Sequence, residues 1–221
     1  QADILLGTLA LPRTDARWPE LALAVHALGG GMASRLFVDV REKQSLAYST
    51  TAMARELSHG ASVVALYAGT QTPLAPRSAQ ALLSHLSGIA SGQPVTADEL
   101  AIAQSSLETS FVFRLETLGA VAGVAVDQVV LGLPGKDVYD YVAGYRGALR
   151  AAKLEGVHTV ARDAMTKGAV LSVAGDPALA KALRRFGAVR VVDPERSFAL
   201  VEELPQDANA PLELAAPPAA K

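Results

Sequence analysis

The chain has 221 residues, half of them apolar, which is enough for a substantial core in one large domain or two small ones. Twenty basic residues against 22 acidic ones, with no long run of either sign, exclude the electrostatic footprint of a nucleic-acid binder and a polybasic membrane patch. There is no cysteine, so disulfides, thiolate zinc sites and a cysteine nucleophile are excluded, while such a composition is tolerated on either side of a membrane and leaves the compartment open.

In chain order, "QADILLGTLALP" alternates like a half-buried strand and lacks the charged lead of a signal peptide. "TDARWPELALAVHALG" predicts a helix capped by Thr14 or Asp15, with Pro19 in its first turn and Leu21, Val25 and Leu28 on one face. Three glycines follow, then a short amphipathic helix over "ASRLFVDVREK". "LAYSTTAMARE" and "GASVVALYAGT" predict two antiparallel strands joined by a turn.

The middle of the chain turns helical. "PRSAQALLSHLSGIASG" is followed by "TADELAIAQSSLETSFVFRLET", in which Thr96 and Glu99 form a capping box. "LGAVAGVAVDQVVLGLPG" is interrupted by Asp127 and Gln128 and is too short to span a bilayer, so a buried helix is expected there. Two more helices, over "DVYDYVAGYRGALR" and "KLEGVHTVARDAMTK", precede a buried strand in "GAVLSVAGD", a helix opened by Pro177 and a last strand in "AVRVVD". This order lacks the regular alternation of a doubly wound sheet. It predicts an α+β domain with a mostly antiparallel sheet and helices on one face, over residues 1–204, followed by a flexible Pro/Ala-rich tail over 205–221. A chain that opens on a bare strand reads as a domain excised from a longer polypeptide, although a small subunit has the same appearance.

Gly29, Gly30 and Gly31 do not fit a phosphate loop. They follow a helix rather than a strand, and no lysine or acidic ribose partner stands at the required spacing. They fit a helix terminus and a tight turn where backbones approach closely.

"LGGGMASRLFVDVREKQSLAY", with "VTADELAIAQSSL" downstream and "AVLSVAGD" near the end, resembles the C-terminal, non-zinc half of the pitrilysin/insulinase family of zinc metallopeptidases, of which the mitochondrial processing peptidase is one. The resemblance runs to about Asp193 and implies a half-domain of the processing-peptidase type. It implies no catalytic residue and no metal ligand in this chain, because the inverted H-x-x-E-H zinc motif lies on the other half. The four histidines, His26, His59, His85 and His158, are too far apart to form that motif. Zinc is therefore expected on a homologous partner half, in the same polypeptide or in a separate subunit, and this chain alone is expected to be inactive.

The resemblance also assigns Arg41 and Tyr48, seven residues apart, to binding of the peptide substrate, and Ser34 with the glycines to the structural loop. A guanidinium and a phenol suit that work, since both donate hydrogen bonds to carbonyl oxygens. From spacing alone the pair equally fits a solvated arginine at a helix end and a tyrosine at the sheet edge. Ser34 can cap the short helix, and as a nucleophile it lacks a paired base. Glu155 and His158 share a helix face without a third metal ligand, and Tyr139, Tyr141 and Tyr145 crowd one helix in a manner typical of packing. The expected function is the substrate-binding, non-catalytic half of a zinc endopeptidase acting on peptides. The alternative is a structural or assembly subunit that keeps the fold without the enzyme.

Overall fold

The computed structural model describes residues 1–57, 59–113, 115–165 and 168–212. Four strands form an antiparallel sheet in the order β2 (Ser49–Arg55), β3 (Val63–Thr70), β1 (Ala2–Leu9), β4 (Val170–Ala174). Strict alternation in β1 turns Ala2, Ile4, Leu6 and Thr8 inward, where each is fully or almost fully buried. Their partners Val64, Leu66, Ala68 and Thr70 on β3 are buried on the same face. Helices α1 (Trp18–Gly29) and α2 (Ala75–Ala90) cover that face, with Leu21, Leu23, Leu28, Leu82 and Ile89 filling the core. Helices α3 (Ala97–Phe113), α5 (Val138–Ala151) and α6 (Leu154–Ala164) pack outside α1. The expected α+β architecture, with an antiparallel sheet and helices on one face, is the one observed.

The opposite sheet face carries Asp3, Leu5, Gly7 and Leu9 of β1, aligned with Gly69, Tyr67, Ala65 and Val63 of β3 and, through them, with Ser49, Thr51, Met53 and Arg55 of β2. Leu5, Leu9 and Met53 are substantially exposed there.

Local chemistry accounts for the helix ends. Thr96 and Glu99 form the expected capping box: the Glu99 amide donates to Thr96 Oγ1 and the Thr96 amide to Glu99 Oε2. Thr117 caps α4 (Leu118–Leu131) and Asp137 caps α5. At α1, Pro19 lies in the first turn as expected, but neither Thr14 nor Asp15 caps the helix. Arg17 holds the cap position, and Asp15 accepts from the Arg17 amide one turn earlier.

Three other expectations are corrected. Helix α4 contains no buried residue: it sits at the periphery with α5 as its main neighbour, and Leu118, Val126, Val129 and Val130 face outward. Strand β4 is an edge strand of alternating partial exposure rather than a buried one. β5 (Val189–Asp193) is not the last strand, because it pairs with β6 (Ala199–Leu204) in a separate two-stranded sheet.

Between β4 and β5 lies α7 (Leu179–Leu183), shorter than the helix expected from Pro177 onward. After β6 the chain returns toward α7, where Arg184 Nε donates to the Pro205 carbonyl and Arg185 Nη1 to that of Ala210. Of the tail expected over 205–221, residues 213–221 lie outside the described residues.

Candidate functional site

The glycine segment is shaped by contact rather than by left-handed backbone. A β-carbon on Gly29 would stand 2.2 Å from the Ala52 amide nitrogen, so α1 and β2 meet backbone to backbone at this point. Gly30, at φ −82, closes α1, and its missing side chain leaves room for the His26 ring. Gly31 faces open space. Burial lowers the His26 pKa, which keeps the ring neutral.

The next turns form a π-helix over Leu36–Lys43 rather than the expected short α-helix, and the Gln44 amide reaches back to the Asp39 carbonyl. No side chain caps it; Ser34 is buried, and its carbonyl accepts the Val38 amide. Arg35 anchors the π-helix to α3: Nε and Nη2 bond the two Glu99 carboxylate oxygens at 2.6 and 2.7 Å, and further donors reach the Gln93 and Pro94 carbonyls. Burial pushes the Glu99 carboxyl up, but the Arg35 and Thr96 hydrogen bonds outweigh it, so its pKa lies below the ordinary value. On the other side, Asp39 bonds His85 of α2 at 2.8 Å and Gln44 at 2.9 Å. The segment that follows the glycines is thus tied to α3 and α2.

The chain leaves the π-helix through Ser45, a left-handed residue at φ 51. Leu46 and Ala47 then turn inward, and the buried hydroxyls of Thr70 and Ser78 both bond the Leu46 carbonyl. This fixes the approach of Tyr48 to the sheet. Its amide donates to the Gly69 carbonyl, and its ring lies over Gly69, where a β-carbon would come within 2.8 Å of the phenol oxygen. The Tyr48 hydroxyl accepts a 2.5 Å hydrogen bond from Gln1 Nε2, and 54% of the residue remains exposed.

Arg41 and Tyr48 line one open cavity of about 320 Å³, together with Ser45, Leu46, Gln71 and Leu74. The Arg41 guanidinium rests 4.6 Å from the Phe37 ring centroid, and its ion pair with Glu42 is a loose 3.6 Å contact in solvent. Its donors therefore remain available to a ligand, since an exposed pair of this kind holds weakly.

Sequence reasoning missed the neighbours of Tyr48 on the open sheet face. The Tyr67 hydroxyl donates to Asp3 Oδ1 at 2.5 Å, with the Ser49 hydroxyl and the Tyr48 phenol nearby. The period-two alternation of β1 and β3 places Asp3 and Tyr67 on one face; the signal missing from the sequence is the register that brings them together.

The other residues singled out from sequence divide between packing and solvent. His158 bonds the Val95 carbonyl at 2.7 Å, while Glu155 is exposed. Tyr141 and Tyr145 stack beside Arg13, a buried arginine that also faces Trp18 and pairs with Glu56 at 2.9 Å, whereas Tyr139 points to solvent. Among the described residues no group of three metal-ligating side chains comes together. Of the described histidines, His85 and His158 are held by other partners and His26 is packed against Gly30.

Fold and site together define an α+β half-domain that presents an arginine and a tyrosine at the edge of an open sheet. Residues 1–107 match the family described as the Peptidase M16 inactive domain. The chain is similar to an uncharacterized zinc protease of Streptomyces coelicolor, with 31% identity over 79% of this chain and 37% of that protein. It is also similar to an uncharacterized zinc protease of Bacillus subtilis, with 26% identity over 78% of this chain and 41% of that protein. It therefore spans about two-fifths of the length of these relatives.

Among solved structures, a protease from Helicobacter pylori shares the fold with a TM-score of 0.69 at 20% identity, over 79% of this chain and 41% of that one. A peptidase M16 inactive domain from Pseudomonas fluorescens does so with a TM-score of 0.69 at 19% identity, over 79% of this chain and 40% of that one. The inactive-domain match and the two zinc-protease relatives agree with the resemblance to the zinc metallopeptidases, and the solved structures share its fold.

Proposed function

We propose that this chain is the substrate-binding, non-catalytic half of a zinc-dependent endopeptidase acting on peptides, and that it completes the active-site chamber of a homologous zinc-bearing half. The observation that carries this reading is the cavity shared by Arg41 and Tyr48, two exposed hydrogen-bond donors fixed at the rim of an otherwise open sheet face. The zinc ion of the other half supplies Lewis-acid chemistry at the scissile bond. Arg41 contributes a charged fork that grips backbone carbonyl oxygens, and Tyr48 adds a neutral donor on a rigid arm. Gly29 and Ser34 serve as structural supports, Gly29 through its approach to β2 and Ser34 through the start of the π-helix.

The test is an assembly captured from source cells with this chain as bait, assayed on unstructured peptides with and without a zinc chelator. Chelator-sensitive cleavage that the isolated chain lacks supports the proposal. A stable, inert and zinc-free assembly refutes it and points to a structural subunit instead.

A further inference from the structure

Two phenols stand on the open sheet face in opposite hydrogen-bonding states. A phenol has one proton to give. Tyr67 gives its proton to Asp3 Oδ1, so its oxygen can only accept, and the Ser49 hydroxyl beside it takes one of its two lone pairs. Tyr48 accepts from Gln1 Nε2, so its proton remains free to donate. The Asp3 hydrogen bond, with burial next, raises the Tyr67 pKa, and Ser49 opposes it, so the phenol stays protonated and the arrangement persists at neutral pH.

Spacing matches the two states to one ligand. The Tyr48 ring lies over Gly69, two residues along β3 from Tyr67 and on the same face. Two residues of strand advance roughly 7 Å, which is also the repeat over which an extended peptide presents its next N–H and C=O on the same side.

Resting on the substrate-binding reading above, we infer that Tyr67 is a second peptide-contacting residue, accepting from a substrate N–H while Tyr48 donates to a substrate carbonyl one two-residue step away. Asp3 is a positioning residue that fixes the polarity of Tyr67. The peptide lies extended along β3 from the Arg41 cavity, past Gly69 to Tyr67, and is read through its backbone.

The experiment uses the assembled protein, this chain with its zinc-bearing half, stripped of metal by a chelator so that peptide is bound and not cut. An unstructured peptide and its single backbone N-methyl variants are titrated by fluorescence anisotropy. In the unmodified protein, methylation of one nitrogen is expected to weaken binding by about three- to tenfold, the effect of one hydrogen bond. In Tyr67→Phe that variant should bind like its parent, whereas Asp3→Asn, which keeps an acceptor for the Tyr67 proton, should retain the penalty.

A penalty that survives Tyr67→Phe, or the absence of any sensitive nitrogen, overturns the inference. Arg41→Ala and Tyr48→Phe in the same titration separate it from the broader proposal. If they weaken binding while Tyr67→Phe behaves as unmodified, only the role of Tyr67 falls; if they too change nothing, or if no peptide binds, both readings fall.

Discussion

The ring of Tyr48 occupies the space that a side chain on Gly69 would fill, with the phenol oxygen 2.8 Å from the missing β-carbon. Gly69 does not have positive φ, so alanine is free of backbone strain there and acts by displacing the Tyr48 ring and the Ser49 hydroxyl, which would stand 2.7 Å from the added carbon. Gly69→Ala should therefore leave the far-ultraviolet circular dichroism spectrum unchanged while weakening peptide binding by the assembly at least as much as Tyr48→Phe. Undiminished binding would show that the ring position is immaterial.

The three glycines should respond differently to substitution. Gly29→Ala meets the β2 backbone at 2.2 Å, where nothing flexible can yield, and is expected to cost about 3 kcal/mol or more in denaturant unfolding. Gly31→Ala meets nothing within 4 Å and should stay within about 0.5 kcal/mol of the parent. Equal effects at both positions would contradict contact as the reason for Gly29.

The Arg35–Glu99 pair should make stability acid-sensitive. The Glu99 pKa is lower folded than unfolded, so its contribution is present above the ordinary glutamate value of 4.5 and is lost as pH falls through the lower folded value. Arg35→Ala should cost about 2 kcal/mol at pH 7 and less at the lowest pH at which the fold survives, where its bonds to the Gln93 and Pro94 carbonyls are what remains. Parallel stability curves for the two proteins across that range would rule out the pair as the cause.

Helix α4 should tolerate charge. Val129 is 83% exposed, so Val129→Lys should alter the stability of this chain by no more than about 0.5 kcal/mol. Leu149→Ala, on neighbouring α5 and fully buried, should cost about 2–5 kcal/mol. Thermal unfolding of both variants checks the contrast.

These contrasts also mark what could be read from residues alone. The alternation of β1, the Thr96/Glu99 box and the periodicity of α1 and α2 each specify a local structure that tertiary packing left in place. Helix α4 was misread because a helix apolar apart from Asp127 and Gln128 has too little wet side to reveal which face is covered. β4 was misread because an apolar run looks the same at the centre and at the edge of a sheet, and β6, with Glu202 and Glu203 in its middle, has little strand signal. The π-helix adds one residue to each hydrogen-bonded turn, which no side-chain pattern announces. At the site, Arg41 and Tyr48 were found through the resemblance, while Asp3 and Tyr67 depend on a strand register that sequence spacing leaves open.

The most direct test is steady-state kinetics of the zinc-loaded assembly carrying Arg41→Ala together with Tyr48→Phe. The account predicts that kcat/KM for an unstructured peptide falls by about 10- to 1000-fold, as the loss of charged and neutral donors at a reacting carbonyl should produce, with zinc content and assembly unchanged. An unaltered kcat/KM in a correctly assembled, fully zinc-loaded double variant would contradict it.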